Sequence, residues 1–220
     1  MNEMNSSSIY AAIRKITSHL ISVGISDAQN YPVITRDKEY YYVSYSGFAD
    51  TSIALRNIEY VDIYNFLDEK RQYNIKLLDG GLLHLLFQFD RRMKLVKERL
   101  CYFPAPNYES FQNDPELYLD ESNFYADIVQ KSILPVPIRV DYAPDDANDV
   151  IHPAAHLTLG QFKNCRIPLS SPLCPVTFVK FILSSFYNTA YHDFGFEMER
   201  LVHPNTITPR ERGMLHFSIE

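Results

Sequence analysis

Residues 151–168, IHPAAHLTLGQFKNCRIP, concentrate two histidines, a threonine, a lysine, a cysteine and an arginine between prolines, just downstream of IRVDY at 138–142. Both stretches alternate apolar and polar residues with the period of a strand, in which successive side chains point to opposite faces. A strand over 155–160 puts His156 and Thr158 on one face and turns Leu157 and Leu159 toward the core. A strand over 137–142 likewise puts Arg139 and Asp141 on one face. If the two pair across the acidic turn DDANDV (145–150), Arg139, Asp141, His152 and His156 meet. His152 precedes a proline and is expected in extended or turn backbone.

These residue types admit three uses. A neutral imidazole can act as base and a protonated one as acid in phosphodiester cleavage, with Arg139 holding the phosphate. Thr158, Lys163 and Arg166 would then add phosphate contacts and a local positive patch. Alternatively, His152, His156 and Asp141 could bind a divalent metal. Or the groups could satisfy one another, with Asp141 pairing Arg139 or Arg166, because ion pairs and buried histidines are commoner than active sites. A zinc set of His152, His156, Cys165 and Cys174 has an unfamiliar spacing, and buried free cysteines more often behave as small hydrophobes. No other cofactor is expected.

A second His-x-hydroxyl tripeptide stands at His216-Phe217-Ser218. With His156-Leu157-Thr158 it resembles the paired H-x-[ST] strands of the 2H phosphoesterases. That resemblance implies His216 as a second catalytic histidine and Ser218 as a phosphate ligand; otherwise His216 is a strand histidine near a frayed end. Asp79-Gly80-Gly81 reads as a turn whose carboxylate could reach a site at the end of the sheet, and His84 as a satisfied sheet residue. Ser170-Ser171-Pro172 lacks the strand–turn–helix setting of a nucleophile elbow, and no glycine-rich phosphate loop occurs.

The elements that must position this chemistry are legible from periodicity. A helix is expected over about 8–23, capped by serine and stopped by Gly24. A hairpin or two short strands span 31–47, and a second helix covers 57–73 through Ile58, Val61, Tyr64 or Asn65, and Phe66-Leu67. Two strands flank the turn at Asp90-Arg91-Arg92, and a polar loop with one short helical turn fills 107–132. An apolar helix over 176–194 buries Phe178, Phe181, Ile182 and Phe186, and a cap near Thr208 precedes a last strand over 214–219. This order predicts a single α+β domain, an antiparallel central sheet with flanking helices, with the 8–23 helix and the 214–219 strand peripheral.

A chain of 220 residues can bury a core without disulfide staples. Its net charge of −6 weighs against a dedicated nucleic-acid binder, which would be basic, but leaves room for a local patch or a partner's charge. Three cysteines, a polar start without a signal-peptide pattern and no apolar run of membrane-spanning length predict a cytoplasmic protein with reduced thiols.

Taken together, LLDGGLLHLLFQFD, CYFPAPN, QNDPELY, ADIV, VPIRVDY, HPAAHLTLGQFKNCRIPLSSPL and FVKFILSSFYN resemble an uncharacterised bacterial family known only as a domain of unknown function, over about residues 55–190. Families of this kind often sit among mobile or defence genes. Asp79-Gly80, Arg139-x-Asp141 and the His152-Pro153 to His156 stretch, in that order, are also similar to TumE-type toxins of toxin–antitoxin pairs. That likeness implies action on RNA and a protein partner encoded by a neighbouring gene. The long 107–132 insertion, the N-terminal extension and Leu157-Thr158 depart from the pattern. Two functional classes follow: a small nuclease-like effector acting on RNA or single-stranded nucleic acid through Arg139, Asp141, His152, His156 and His216, or a non-catalytic subunit of a defence complex with an aromatic interface.

Overall fold

The computed structural model describes residues 2–48, 58–106, 136–162 and 164–219. The expected loop at 107–132 and Lys163 lie outside them. The chain opens with β1 (Asn2–Glu3) and α1 (Ser6–Ser22). Asn5, rather than a serine, caps α1: its side chain accepts the Ser8 N–H, and the Ser8 hydroxyl accepts the Asn5 N–H, each at 2.9 Å. Gly24, at φ 71°, terminates the helix, and the Ile25 N–H reaches back to the Leu20 carbonyl.

Next come β2 (Ser26–Gln29), β3 (Pro32–Arg36) and β4 (Tyr41–Tyr45). They precede α2 (Tyr60–Glu69), β5 (Ile75–Leu77), β6 (Leu82–Phe89) and β7 (Leu95–Phe103). After these stand β8 (Ile138–Tyr142), β9 (Ala155–Leu159) and β10 (Ile167–Pro168). The chain finishes with α3 (Pro175–Phe186), α4 (Asn188–Phe194), β11 (Leu201–Val202) and α5 (Pro209–Arg212).

Nine strands form one antiparallel sheet in the order β10-β9-β8-β7-β6-β4-β3. The sheet forks at β6: its second half pairs with β4 and its first half with β5, which in turn carries β2. β1 and β11 make a separate parallel pair. The expected α+β architecture with an antiparallel sheet is therefore the one observed.

One sheet face is the main core. Leu83, Leu85, Phe87, Leu100, Tyr102 and Val140 meet Ile9, Ile13, Ile16 and Leu20 of α1 and Phe178, Val179, Ile182 and Leu183 of α3 there. The N-terminal helix is thus not peripheral, because its whole apolar stripe is sealed against the sheet. On the opposite face α2 covers Leu82, Cys101 and Phe103 with Ile63, Tyr64 and Leu67. Ile58, Val61 and Phe66, expected in that stripe, are partly exposed: the short helix starts at Tyr60 and turns a different edge inward.

The expected 176–194 helix is broken at Tyr187, whose φ of −130° separates α3 from α4. The buried stripe of α3 is Phe178, Val179, Ile182 and Leu183, whereas Phe181 is 41% exposed and Phe186 only half-buried, stacked on Tyr102. Phe181 follows Phe178 by three residues and lies on the flank of a stripe centred between Val179 and Ile182. The expected strand at 214–219 reduces to a single parallel bridge between Phe217 and Leu169.

Asp79 and Glu98 are buried carboxylates of this frame. Asp79, in the β5–β6 turn, receives the Tyr187 hydroxyl at 2.7 and 2.8 Å and the Gly81 N–H at 2.9 Å. It is part of a packed network, and a Cβ at Gly81 would fall 2.8 Å from the Tyr187 hydroxyl, which is why that position has no side chain. Glu98 accepts the Leu173 N–H at 3.0 Å through one oxygen while the other is buried without a partner. Burial pushes the Glu98 carboxyl well above its ordinary range.

Two outcomes follow for stability. Phe178→Ala should cost about 3–5 kcal/mol in urea unfolding, as for a fully buried Phe, while Phe181→Ala should cost under about 1 kcal/mol. Glu98 binds its proton more tightly in the folded state, so its contribution is complete below the ordinary carboxylate range and is lost as pH rises above it. Urea unfolding between pH 4.5 and 8 should show a decline in the native protein that is shallower in Glu98→Gln.

Candidate functional site

The register of the central strands aligns polar side chains across the face opposite the main core. One row runs His84–Cys101–Arg139–Thr158 over β6, β7, β8 and β9. The next runs Leu86–Arg99–Asp141–His156–Pro168 and ends on β10. Directly opposed residues in an antiparallel pair have Cβ atoms about 4.5–5.5 Å apart, so each row is a line of neighbours. β8 and β9 pair as expected, and Arg139, Asp141, His156 and Thr158 share one face. Leu157 packs against the main core as expected, but Leu159 is 40% exposed, and His156 and Thr158 on the other face are buried, at 4% and 3% exposure. Alternation reports the pleat but not how deeply each face is buried.

The charges are arranged around Asp141. Arg99 Nε donates to Asp141 Oδ1 at 2.8 Å in a nearly buried ion pair. Burial of Asp141 opposes its ionisation, but the Arg99 and Arg139 guanidiniums outweigh it and hold the carboxyl below its ordinary range. Arg99 was not among the expected residues; KERLCY carries the strand alternation, but only the register reveals that Arg99 faces Asp141. Arg139 is 7% exposed, and its Nε and Nη1 are buried without a hydrogen-bond partner.

His156 Nδ1 lies 2.8 Å from the Pro153 carbonyl. A carbonyl only accepts, so Nδ1 carries the proton and Nε2 is the lone-pair nitrogen. Burial is the main cause that lowers the His156 pKa, helped by His152 and Arg166 and opposed by the Pro153 bond and Asp141. The ring is therefore held neutral. The His152 ring lies 5.0 Å from that of His156, centroid to centroid, anchored by Nδ1–H to the Asp146 carbonyl. Arg166, half-buried, is near enough to bias His156. Cys101 sits between His84 and Arg139, but burial, with the Asp141 charge, pushes its thiol up to about 12, so it is no thiolate nucleophile.

Other expected residues lie elsewhere. The tail runs beside the strand that continues β10, with the Phe217 N–H donating to the Pro168 carbonyl at 3.0 Å. His216 and Ser218 are thus about two strand spacings, roughly 10 Å, from β9, and His216 Nδ1 bonds the Met214 carbonyl. The zinc set does not assemble: Cys174 caps α3 and accepts the Thr177 N–H, and among the described residues no three His, Cys, Asp or Glu side chains are grouped to hold a metal. An open groove of about 360 Å³ lies on the same sheet face, over Tyr42, Gln88 and Lys97.

Removing the carboxylate leaves two guanidiniums facing each other, so Asp141→Ala should destabilise by about 3–5 kcal/mol in chemical unfolding, the range for breaking a buried ion pair. His156 has a lowered native pKa, so its contribution is complete above the ordinary value of 6.5 and is lost as pH falls below it. Unfolding free energies from pH 7.5 to 5 should therefore fall less steeply in His156→Gln than in the native protein.

No curated protein and no solved structure matches the chain. Among the described residues no helix is long and apolar enough to cross a membrane. A family model described as an uncharacterized conserved protein, DUF2290, matches residues 25–219. The match takes in every strand of the nine-stranded sheet and all the polar residues aligned on it, and the chain belongs to the DUF2290 family.

Proposed function

We propose that the Arg99–Arg139–Asp141–His152–His156–Thr158 cluster binds a phosphodiester and cleaves RNA, making the chain a cytoplasmic effector of a prokaryotic defence or toxin–antitoxin pair. The observation that carries this reading is Arg139: a buried guanidinium with two donor nitrogens unpaired is costly unless an anion completes it. Arg99 and Arg139 positive, Asp141 negative and His156 neutral leave these four groups with one net positive charge to attract that anion, before any proton on His152 is counted.

The chemistry follows from the tautomer. His156 Nε2 takes the proton of the ribose 2′-hydroxyl as that oxygen bonds to phosphorus. The bond from phosphorus to the 5′-oxygen breaks, and a protonated His152 returns a proton to it. Arg139 and Thr158 hold the charge that builds on the phosphoryl oxygens, and Arg166 lies at the edge of the same field. Asp141 orients Arg99 and moderates the repulsion between guanidiniums. The order of Asp79-Gly80, Arg139-x-Asp141 and His152 to His156, similar to TumE-type toxins, supports the same substrate class.

Cleavage of labelled RNA and single-stranded DNA, with and without magnesium or EDTA, tests the reading. His156→Ala should lose about 10²-fold or more of RNA cleavage while staying folded, and Arg139→Lys should be damaging because a lysine cannot supply the guanidinium fork. Equal cleavage by native protein and folded His156→Ala would overturn it.

A second reading, a non-catalytic subunit that binds a protein encoded by a neighbouring gene, draws on exposed apolar side chains. Ile151 is 68% and Leu215 77% exposed, in segments tied together by the Val150 N–H to Glu211 bond. Loss of complex formation in Leu215→Lys, with catalysis absent in the native protein, is its expected signature.

A further inference from the structure

The groove beside the cluster has a floor made of one cross-strand row, Thr35–Tyr42–Gln88–Lys97, over β3, β4, β6 and β7. Phe48 rises beside Tyr42, their ring centroids 5.3 Å apart at 45°, and the Tyr42 hydroxyl donates to Asp37 at 2.8 Å. The next row on the same face contains Arg99, Asp141 and His156. Lys97 and Arg99 alternate along β7, about 7 Å apart at two residues of strand rise. Groove and anion site are therefore adjoining parts of one sheet face, the groove open and the cluster buried beside it.

The lining selects a class of occupant. Two aromatic rings offer stacking faces, the Gln88 amide offers both a donor and an acceptor, Arg36 and Lys97 are cations of the rim, Lys97 on the side toward the cluster, and the Asp37 carboxylate is engaged by the Tyr42 hydroxyl. An aliphatic chain would leave the amide and charged groups unmatched. A flat heteroaromatic ring with polar edges matches all of them, and stacking on aromatic side chains is how single-stranded nucleic acids are held with little sequence preference.

We infer that this groove receives a nucleobase of the same single-stranded RNA whose phosphate lies on Arg139. The inference rests on the phosphodiester reading and specifies its substrate: an unpaired strand running across the sheet, a base on Tyr42 and Phe48, and its backbone passing Lys97 toward Arg99 and Arg139. A paired duplex, with its bases turned inward, would not present one to the groove.

Binding of a fluorescein-labelled RNA pentanucleotide, followed by anisotropy in EDTA, is the test. Controls are the same oligonucleotide carrying abasic sites and a blunt duplex of the same sequence. The native protein should bind the normal strand at least 5-fold more tightly than the abasic strand or the duplex. Phe48→Ala and Gln88→Ala should each erase most of that difference while leaving abasic affinity unchanged. Arg139→Gln should weaken both single strands. Equal affinity of the native protein for normal and abasic strands, with both weakened by Arg139→Gln, would sink the base groove and leave the phosphate site standing. Equal affinities that Arg139→Gln does not change, or no binding of any strand, would sink both. The comparison of oligonucleotides on the native protein decides the matter even if a groove variant misfolds.

Discussion

Two guanidinium groups compete for one carboxylate in the middle of this sheet. Arg99 has won it, with a direct hydrogen bond to Asp141, and Arg139 is left close enough to feel the charge but without a partner for two of its nitrogens. An ion pair at this depth offsets much of its own desolvation cost, whereas a second guanidinium without a hydrogen bond to the carboxylate is offset only in part. The neutral state of His156 follows chiefly from its burial, and a charged ring would also meet repulsion from His152 and Arg166. The cluster thus holds a net positive charge in a protein that is acidic as a whole, and the surrounding strands must be rigid enough to keep it there.

That rigidity comes from the opposite face. The residues between the charged positions, Leu100 and Val140, point into the core formed with α1 and α3. Every second residue of β7 and β8 is therefore locked, and the charged residues between them inherit that fixed spacing. The two ends of the sheet are treated differently. At β6 the strands fork, and the Asp79–Gly81 turn is tied to Tyr187 by a buried network in which Gly81 leaves no space for a side chain. At β9 and β10 the sheet ends in short strands and a tail attached through Phe217. The cluster lies toward this second end, with the fork and its groove on the other side of β7.

Much of the fold was legible because local pattern and tertiary role agreed. The α1 stripe, the β3–β4 hairpin, the turn at Asp90 and the β8–β9 pair all follow from periodicity and turn chemistry. The errors have a common cause. Phe178, Ile182, Tyr64 and Leu67 are buried as their spacing implies, yet Phe181 and Phe66 lie on the flanks of their helices, and the smaller Val179 and Ile63 complete the sheet-facing stripes. Aromatic size is not a measure of burial when a helix meets a sheet on a narrow stripe. Similarly, Leu157 and Leu159 outrank His156 and Thr158 in hydrophobicity, yet the polar pair is the more buried.

The sequence alone determined which residues share a strand face, since that follows from a period of two and needs no knowledge of neighbours. It therefore placed Arg139 with Asp141 and His156 with Thr158. Only the tertiary structure decided who faces whom across strands. Register is set by the whole sheet's packing, and one step of slip would turn every side chain to the other face. It paired Asp141 with Arg99, forty-two residues away, and left two of the Arg139 nitrogens without a hydrogen bond. It also set His216 and Ser218 two strands away from His156, because H-x-hydroxyl alternation is a local property and the distance between two such strands is not.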